Sequence, residues 1–224
     1  MRYSFGMKTK YIMFDLDGTL MNTLADLRNS INPILESYGF PLLSDEEVKA
    51  KLGHGFQNCI RSILPENSRD ELYEEALNMF VYYYDMNYFM ESRPYPGIPE
   101  LLKELHESGH RLAVYSNKAE KYTKKLIEMY FKDIPFEEVW GAVDEYPIKP
   151  DPTRGEEMIA AKGLDRDTMY MVGDSGADRQ AATNLGIHSV LVTWGYRSEE
   201  KLKESGPEFM AHNVSELREI LLNK

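Results

Sequence analysis

Two aspartates stand at the end of the first apolar segment of the chain. Asp15 follows the apolar run 11–14 directly, and Asp17 comes two residues later, just before Gly18-Thr19. A carboxylate can attack a phosphate ester as a nucleophile, and a second carboxylate nearby can give a proton to the leaving oxygen and later take one from water. A solvated turn would also use Asp and Gly, so the pair needs further residues to indicate chemistry.

Three more polar clusters follow later apolar runs. They are Ser116-Asn117 after residues 112–115, Lys149 after 139–143, and Asp174 with Asp178 after 169–172. Each cluster alone could be a turn, a helix cap or a surface residue. A single active site accounts for all four clusters, whereas otherwise four independent explanations are required. The order and placement of the clusters therefore predict one site.

The charges of these residues indicate what the site must bind. Asp15, Asp17, Asp174 and Asp178 would bring up to four negative charges to one cleft, with Lys149 as the nearby positive charge. Carboxylates that close raise one another's pKa and repel an anionic substrate. A hard divalent cation relieves both effects, and Mg²⁺ commonly takes one or two carboxylates together with phosphate oxygens. We therefore predict Mg²⁺ as the cofactor and a phosphate group as the ligand.

The elements that must position these residues alternate between short apolar runs and helical patterns. The runs cover 11–14, 112–115, 139–143, 169–172 and 189–192, and amphipathic segments such as 99–109 and 120–131 lie between them. This alternation predicts an α/β protein with a parallel sheet between two layers of helices. Such sheets bind ligands outside the carboxyl ends of their strands, which is where the four clusters stand.

Residues 21–92 differ from the rest, because they show helix patterns and little that is typical of strands. Leu24, Leu27 and Ile31 recur at helical spacing, and the Ser-Asp-Glu-Glu segment 44–47 is a capping box that opens another helix. We predict that 21–92 is an all-helical cap domain inserted into a core domain formed by 1–20 and 93–224.

Composition limits the class of protein and its partners. The chain has 26 Lys and Arg against 37 Asp and Glu, a net charge of −11 that would repel a nucleic acid backbone. Cys59 is the single cysteine, the first residues lack the apolar stretch of a signal peptide, and no run is long enough to cross a membrane. We expect a cytoplasmic protein, a monomer or homodimer, with no nucleic acid or membrane partner.

The four clusters resemble the four motifs of the haloacid dehalogenase superfamily. The matching segments are DLDGTL (15–20), SN (116–117), KP (149–150) and GDSGAD (173–178), in the same order. The resemblance implies a Rossmann-like core with a helical cap inserted after the first motif. It also implies that Asp15 is the nucleophile and Asp17 the general acid and base. The namesake dehalogenases attack carbon and lack the second aspartate, so Asp17 points to phosphoryl transfer.

The remaining roles also come from the resemblance. Ser116 would hydrogen-bond the phosphoryl group, and Lys149 would hold both the nucleophile and the phosphate. Asp174 would bind Mg²⁺ together with Asp15 and the backbone carbonyl of Asp17, and Asp178 would be a ligand or support the ligands. Thr19 and Asn117 are further candidates for substrate binding.

The choice of substrate should depend on the cap. Gly53-His54-Gly55 resembles the cap loop of phosphoglycolate phosphatases, and glycines there would let backbone amides approach a ligand. A plain turn between helices would look the same, and His54 could equally be a surface residue. We predict a phosphatase for a small, phosphoglycolate-like phosphomonoester. The alternatives are a phosphomutase of the β-phosphoglucomutase type, a pyrophosphatase or nucleotidase of the same superfamily, and a regulator that binds a phosphorylated ligand without catalysis.

Overall fold

A six-stranded parallel sheet is the centre of the computed structural model, which describes residues 8–223. The strands along the chain are β1 (Tyr11–Phe14), β2 (Met21–Asn22), β3 (Arg93–Pro94), β4 (Arg111–Ala119), β5 (Glu138–Ala142), β6 (Met169–Gly173), β7 (His188–Val192) and β8 (Phe209–Ala211). The sheet order is β5-β4-β1-β6-β7-β8, and every neighbouring pair is parallel. The strand that delivers Asp15 therefore lies in the middle of the sheet, between β4 and β6.

Helices cover both faces of this sheet. The helices are α1 (Leu24–Ser37), α2 (Asp45–Lys51), α3 (Gly55–Ile63), α4 (Arg69–Asn87), α5 (Ile98–Glu107), α6 (Glu120–Tyr130), α7 (Thr153–Lys162), α8 (Gly176–Leu185), α9 (Glu199–Glu204) and α10 (Val214–Asn223). A 3₁₀ turn, Arg166–Thr168, precedes β6.

Side chains of β1 alternate between the two faces, as the pleat of a strand requires. Ile12 and Phe14 belong to one apolar cluster with residues of α5, α6 and α10. Tyr11 and Met13 belong to a second cluster with residues of α7 and α8. A strand that is apolar on both faces is typical of a sheet covered on both sides. The predicted three-layer α/β/α, Rossmann-like core is confirmed.

Helices α1–α4 form a unit between β1 and β4, and a small antiparallel ribbon joins its two ends to the core. In this ribbon Met21 of β2 pairs with Pro94 of β3, and Asn22 pairs with Arg93. The ribbon crosses the boundary predicted at residues 20/21 and 92/93, because β2 falls on the cap side and β3 on the core side. The predicted capping box at Ser44 is present at the start of α2.

Buried Asp26 fixes the point at which the chain returns from these helices. Its carboxylate accepts hydrogen bonds from the backbone N–H groups of Glu91 and Ser92 and from the Ser92 hydroxyl, at 2.7 to 3.1 Å. A buried carboxylate needs such donors because burial otherwise disfavours its charge. Within residues 8–223 we find no helix that is both long and apolar enough to span a bilayer.

Candidate active site

The carboxyl ends of three neighbouring strands bring the predicted residues together. Asp15 follows β1, Ser116 and Asn117 lie in the last part of β4, and Asp174 follows β6. The backbone N–H of Asp15 still donates to the carbonyl of Val172 in β6 at 2.9 Å, so the sheet ladder extends to the aspartate itself. The backbone N–H of Leu16 donates to Asp15 Oδ1 at 2.7 Å and orients the carboxylate.

Lys149 lies between two of the predicted carboxylates and is almost completely buried. Its Nζ is 3.2 Å from Asp15 Oδ1 and 2.7 Å from Asp178 Oδ1. The other oxygen of Asp178 accepts hydrogen bonds from the backbone N–H and the hydroxyl of Ser175, at 3.1 and 2.6 Å. Asp178 thus caps the first turn of α8 with one oxygen and binds Lys149 with the other. The sequence resemblance predicted contact of Lys149 with the nucleophile, and the distance agrees.

Burial and mutual repulsion govern the protonation of these groups. Burial raises the pKa of Asp15 from 3.8 to about 6; Lys149 opposes this shift, and the charges of Asp178 and Asp17 add to it. Burial, together with Asp178 and Asp15, also raises the pKa of Asp174 well above its usual value. Burial lowers the pKa of Lys149, but its carboxylate neighbours outweigh that effect and raise the pKa overall. The site thus has more negative charge than its lysine balances.

Three of the four predicted metal ligands can meet at one point. Oxygen atoms of Asp15, Asp174 and Asp178 all lie within 4.8 Å of one another. Asp174 is buried and packs closely against Gly18 and Gly195. A side chain at either glycine would collide with Asp174. An all-oxygen set with excess negative charge is what Mg²⁺ prefers, so the residues present fit the ion.

The side chain of the fourth predicted ligand, Asp17, turns toward other partners. Its Oδ1 accepts a hydrogen bond from the Thr23 hydroxyl at 2.6 Å, and both its oxygens bind Lys118 Nζ, at 3.0 and 3.1 Å. The prediction for Asp17 as a metal ligand concerned its backbone carbonyl, and this side-chain arrangement leaves that carbonyl available.

The cleft next to these residues is narrow, and residues from the 52–56 segment of the helical unit line one side of it. Its volume is about 40 Å³, roughly the space for three water molecules. The predicted residues that line it are Asp15, Asp17, Gly53, Gly55, Ser116, Asn117 and Asp174. His54 instead faces neighbouring surface grooves, and Thr19 is fully buried with its hydroxyl unpartnered among the described residues. The structure thus does not bring Thr19 or His54 into the cleft.

Asn117 connects the 52–55 loop of the helical unit to the core loop that carries Lys149. Its Nδ2 donates to the carbonyls of Gly53 and Lys149 at 2.8 and 2.9 Å, and its Oδ1 accepts from the Lys149 N–H at 2.8 Å. With its amide engaged in this way, Asn117 positions Lys149 and the 52–55 loop around the cleft.

Residues 12–192 match the family of haloacid dehalogenase-like hydrolases. The chain belongs to this family. Relatives of similar length support the assignment: a Vibrio cholerae protein named phosphoglycolate phosphatase is 33% identical over 221 residues, with 95% of this chain and 97% of that protein covered. A protein of the same name from Aquifex aeolicus is 30% identical over 214 residues, covering 96% and 97% of the two chains.

Solved structures of the family agree with this fold. A Lactobacillus delbrueckii protein superposes with a TM-score of 0.90 at 29% identity, covering 97% of this chain and 100% of that one. A predicted phosphoglycolate phosphatase from Haemophilus somnus gives a TM-score of 0.86 at 30% identity, with coverages of 96% and 98%. This haloacid dehalogenase-like chain is therefore an enzyme, a hydrolase of phosphoric monoesters that is similar to phosphoglycolate phosphatases.

Lys118, Tyr196 and Arg197 also line the cleft of this hydrolase but were not predicted from the sequence. Lys118 lies near the end of β4, and Tyr196 and Arg197 follow β7. The backbone N–H of Tyr196 donates to Asp174 Oδ2 at 2.6 Å, and its hydroxyl accepts from the backbone N–H of Thr23 at 2.8 Å. Arg197 donates to the carbonyls of Lys49 and Leu52 at the end of α2. The strand-end rule, applied to the run 189–192, would have found both residues of this loop.

We expect the affinity for Mg²⁺ to depend on pH through Asp15. Its folded-state pKa of about 6 lies above its usual 3.8, so the metal-free fold loses stability as the pH rises through that interval. An ion that binds the carboxylate must displace the proton below pH 6, so affinity should be at least about tenfold weaker at pH 5 than at pH 7. Isothermal titration at both pH values, with matched ionic strength, measures this. Equal affinity at pH 5 and 7 would contradict the assignment of Asp15 as a ligand.

Proposed function

We propose that this enzyme is a Mg²⁺-dependent phosphatase for a small, phosphoglycolate-like phosphomonoester, acting through an aspartyl-phosphate on Asp15. The observation that carries the proposal is the contact of Lys149 with Asp15 Oδ1 at 3.2 Å, at the edge of a cleft that Asp17 also lines. This arrangement holds one carboxylate oxygen in place next to a positive charge that a phosphoryl group would share.

The chain's own residues supply both halves of the reaction. An Asp15 oxygen attacks phosphorus, the bond from phosphorus to the ester oxygen breaks, and Asp17 gives its proton to the departing alcohol oxygen. Asp17, now a carboxylate, takes a proton from a water molecule, which attacks the phosphorus of the aspartyl-phosphate. Inorganic phosphate then leaves, and Asp15 and a protonated Asp17 are restored.

Other residues would hold the transferred group in line. Ser116 lines the cleft, and its side chain hydrogen-bonds Asp15; the hydroxyl would turn to donate to a phosphoryl oxygen when the ester binds. Asp15, Asp174 and Asp178 are the side chains that would hold Mg²⁺. The ion, when bound, neutralises charge on the phosphoryl oxygens and orients them.

The narrow space between the strand ends and residues 52–56 of the helical unit supports a small substrate. The relatives named phosphoglycolate phosphatase support the same choice. A mutase of the β-phosphoglucomutase type would return the phosphoryl group to a sugar, and it is distinguished because only the phosphatase releases inorganic phosphate.

Removing the metal tests the proposal. We expect the enzyme to release inorganic phosphate from 2-phosphoglycolate, to stop in excess EDTA, and to recover when Mg²⁺ is added beyond the chelator. Full turnover in chelator would overturn the metal requirement. If neither 2-phosphoglycolate nor p-nitrophenyl phosphate yields phosphate in the presence of Mg²⁺, the proposed reaction itself is wrong, and a regulator that only binds a phosphorylated ligand becomes the better interpretation.

A further inference from the structure

Lys118 is a buried cation beside the leaving-group side of the proposed site. Its side chain has 0% exposure, and its Nζ binds both oxygens of Asp17, at 3.0 and 3.1 Å. A buried ammonium group requires an anionic partner, because burial removes it from water. Whenever Asp17 turns toward the ester oxygen, Lys118 therefore needs a different anion.

Aromatic rings from the helical unit enclose this ammonium group. It lies 5.3 Å from the ring centre of Phe56 in α3 and 4.8 Å from that of Tyr84 in α4. The two rings also contact each other edge to face, with their centres 5.3 Å apart. Rings at these distances attract a cation and exclude water. Because Lys118 and Phe56 both line the cleft, a new anion would reach the lysine from the cleft.

The proposed role of Asp17 requires its side chain to leave this ion pair. Both oxygens of Asp17 contact Lys118 Nζ, and the Thr23 hydroxyl donates to Oδ1 at 2.6 Å. To reach the ester oxygen, the carboxyl group of Asp17 has to turn from these partners toward the substrate. Lys118 must therefore be drawn from Asp17 toward another anion when the ester is bound.

The substrate itself can supply that anion. Asp17 must approach the ester oxygen, so a group attached to the carbon of the leaving alcohol lies next to Lys118. Arg197 also lines the cleft, but both its terminal nitrogens donate to the backbone carbonyls of Lys49 and Leu52. Lys149 is held between Asp15 and Asp178. Lys118 is thus the cation that can exchange one carboxylate for another.

We propose that Lys118 binds a carboxylate on the leaving group of the substrate and thereby selects phosphomonoesters of small hydroxy acids. This inference rests on the proposed phosphatase function and names the chemical class of its substrate. When the substrate carboxylate replaces Asp17 on Lys118, the side chain of Asp17 is released and can turn toward the ester oxygen. Esters without the carboxylate leave the Asp17–Lys118 pair in place and react slowly for that reason.

Two esters that differ only in this group provide the test. In 2-phosphoglycolate the carbon next to the ester methylene is a carboxylate, and in 2-hydroxyethyl phosphate it is a neutral hydroxymethyl group. We expect the wild-type enzyme to favour 2-phosphoglycolate roughly 10- to 100-fold in kcat/KM, the range for a hydrogen bond to a charged group. In Lys118→Met, which keeps the length of the side chain among the rings, the ratio should fall to within about threefold of one.

A nearby lysine provides the control. Lys121 forms an exposed ion pair with Asp85 at 2.5 Å, and Lys121→Met should keep the wild-type ratio. A Lys118→Met enzyme that still favours 2-phosphoglycolate as the wild type does would overturn the inference. Equal wild-type kcat/KM for the two esters would also overturn it while leaving the phosphatase proposal intact.

If the Lys118→Met variant does not fold, inhibition of the wild-type enzyme by the product tests the inference instead. Glycolate should inhibit hydrolysis of p-nitrophenyl phosphate at a concentration at least about tenfold lower than ethylene glycol, because glycolate alone offers a carboxylate to Lys118. Equal inhibition by both alcohols contradicts the inference. Absence of hydrolysis of p-nitrophenyl phosphate and both esters would instead refute the proposed function, and the inference with it.

Discussion

Replacing Asp15 with asparagine is expected to lower phosphate release by at least about 10⁴-fold, because an amide cannot act as the nucleophile. The fold should survive, since Asn can still accept the hydrogen bond that the Leu16 N–H donates at 2.7 Å. The raised pKa of Asp15, about 6, means that its charge is disfavoured in the folded state, so the neutral amide should leave the metal-free protein at least as stable at pH 8. Phosphate release and urea unfolding in EDTA measure the two effects.

Asp133→Asn is the control for this experiment, because Asp133 is exposed and its change should alter neither quantity. Acid-quenched wild-type enzyme should also retain labelled phosphate on protein, whereas Asp15→Asn should retain none. If Asp15→Asn hydrolysed phosphoglycolate at a tenth of the wild-type rate, another residue would have to be the nucleophile.

Lys149→Met should damage both activity and stability. The buried ammonium lies between Asp15 and Asp178, at 3.2 and 2.7 Å, and its removal leaves two carboxylates without a cation. Breaking a buried pair in this way costs about 3–5 kcal/mol of the free energy of unfolding, and losing one positive group at the phosphoryl site costs about 10²–10³-fold in kcat. Urea unfolding in EDTA and phosphate release with Mg²⁺ measure the two losses.

Mg²⁺ should restore part of the stability lost in Lys149→Met, because the ion supplies positive charge to the same carboxylates. The matched control is Lys103→Met, which removes an exposed lysine 3.8 Å from Glu107 and should cost less than about 1 kcal/mol. A Lys149→Met protein as stable as this control would show that the carboxylates find other compensation.

The sheet was predictable because its strands are long enough to show their apolar character. The runs at 11–14, 112–115, 139–143, 169–172 and 189–192 coincide with β1, β4, β5, β6 and β7. The missed strands, β2, β3 and β8, have only two or three residues, too few for a repeating pattern. Their pairing depends on distant parts of the chain: β2 pairs with β3 across the whole helical unit.

The site was predictable where residue type and strand ends coincide. Asp15, Lys149, Asp174 and Asp178 indeed lie together, because parallel strands direct their carboxyl ends to one edge. The contact of Lys118 with Asp17 could not be foreseen, since it requires two aromatic rings from separate helices to cover the ammonium group. Asn117 likewise connects two backbone segments that are far apart in the sequence. The roles of these residues stay predictions until the variants are measured.

The central position of β1 has a consequence for the order in which the protein can fold. This strand precedes its neighbours β4 and β6 in the chain, yet Tyr11 pairs with Arg111 on one side and with Met169 on the other. Contacts between residues far apart in sequence form late, whereas α1–α4 contact one another locally and can assemble while the chain still grows. We therefore expect the aspartates that follow β1 to remain exposed and inactive on the ribosome until β6 has emerged, because only then can both neighbouring strands pair with β1.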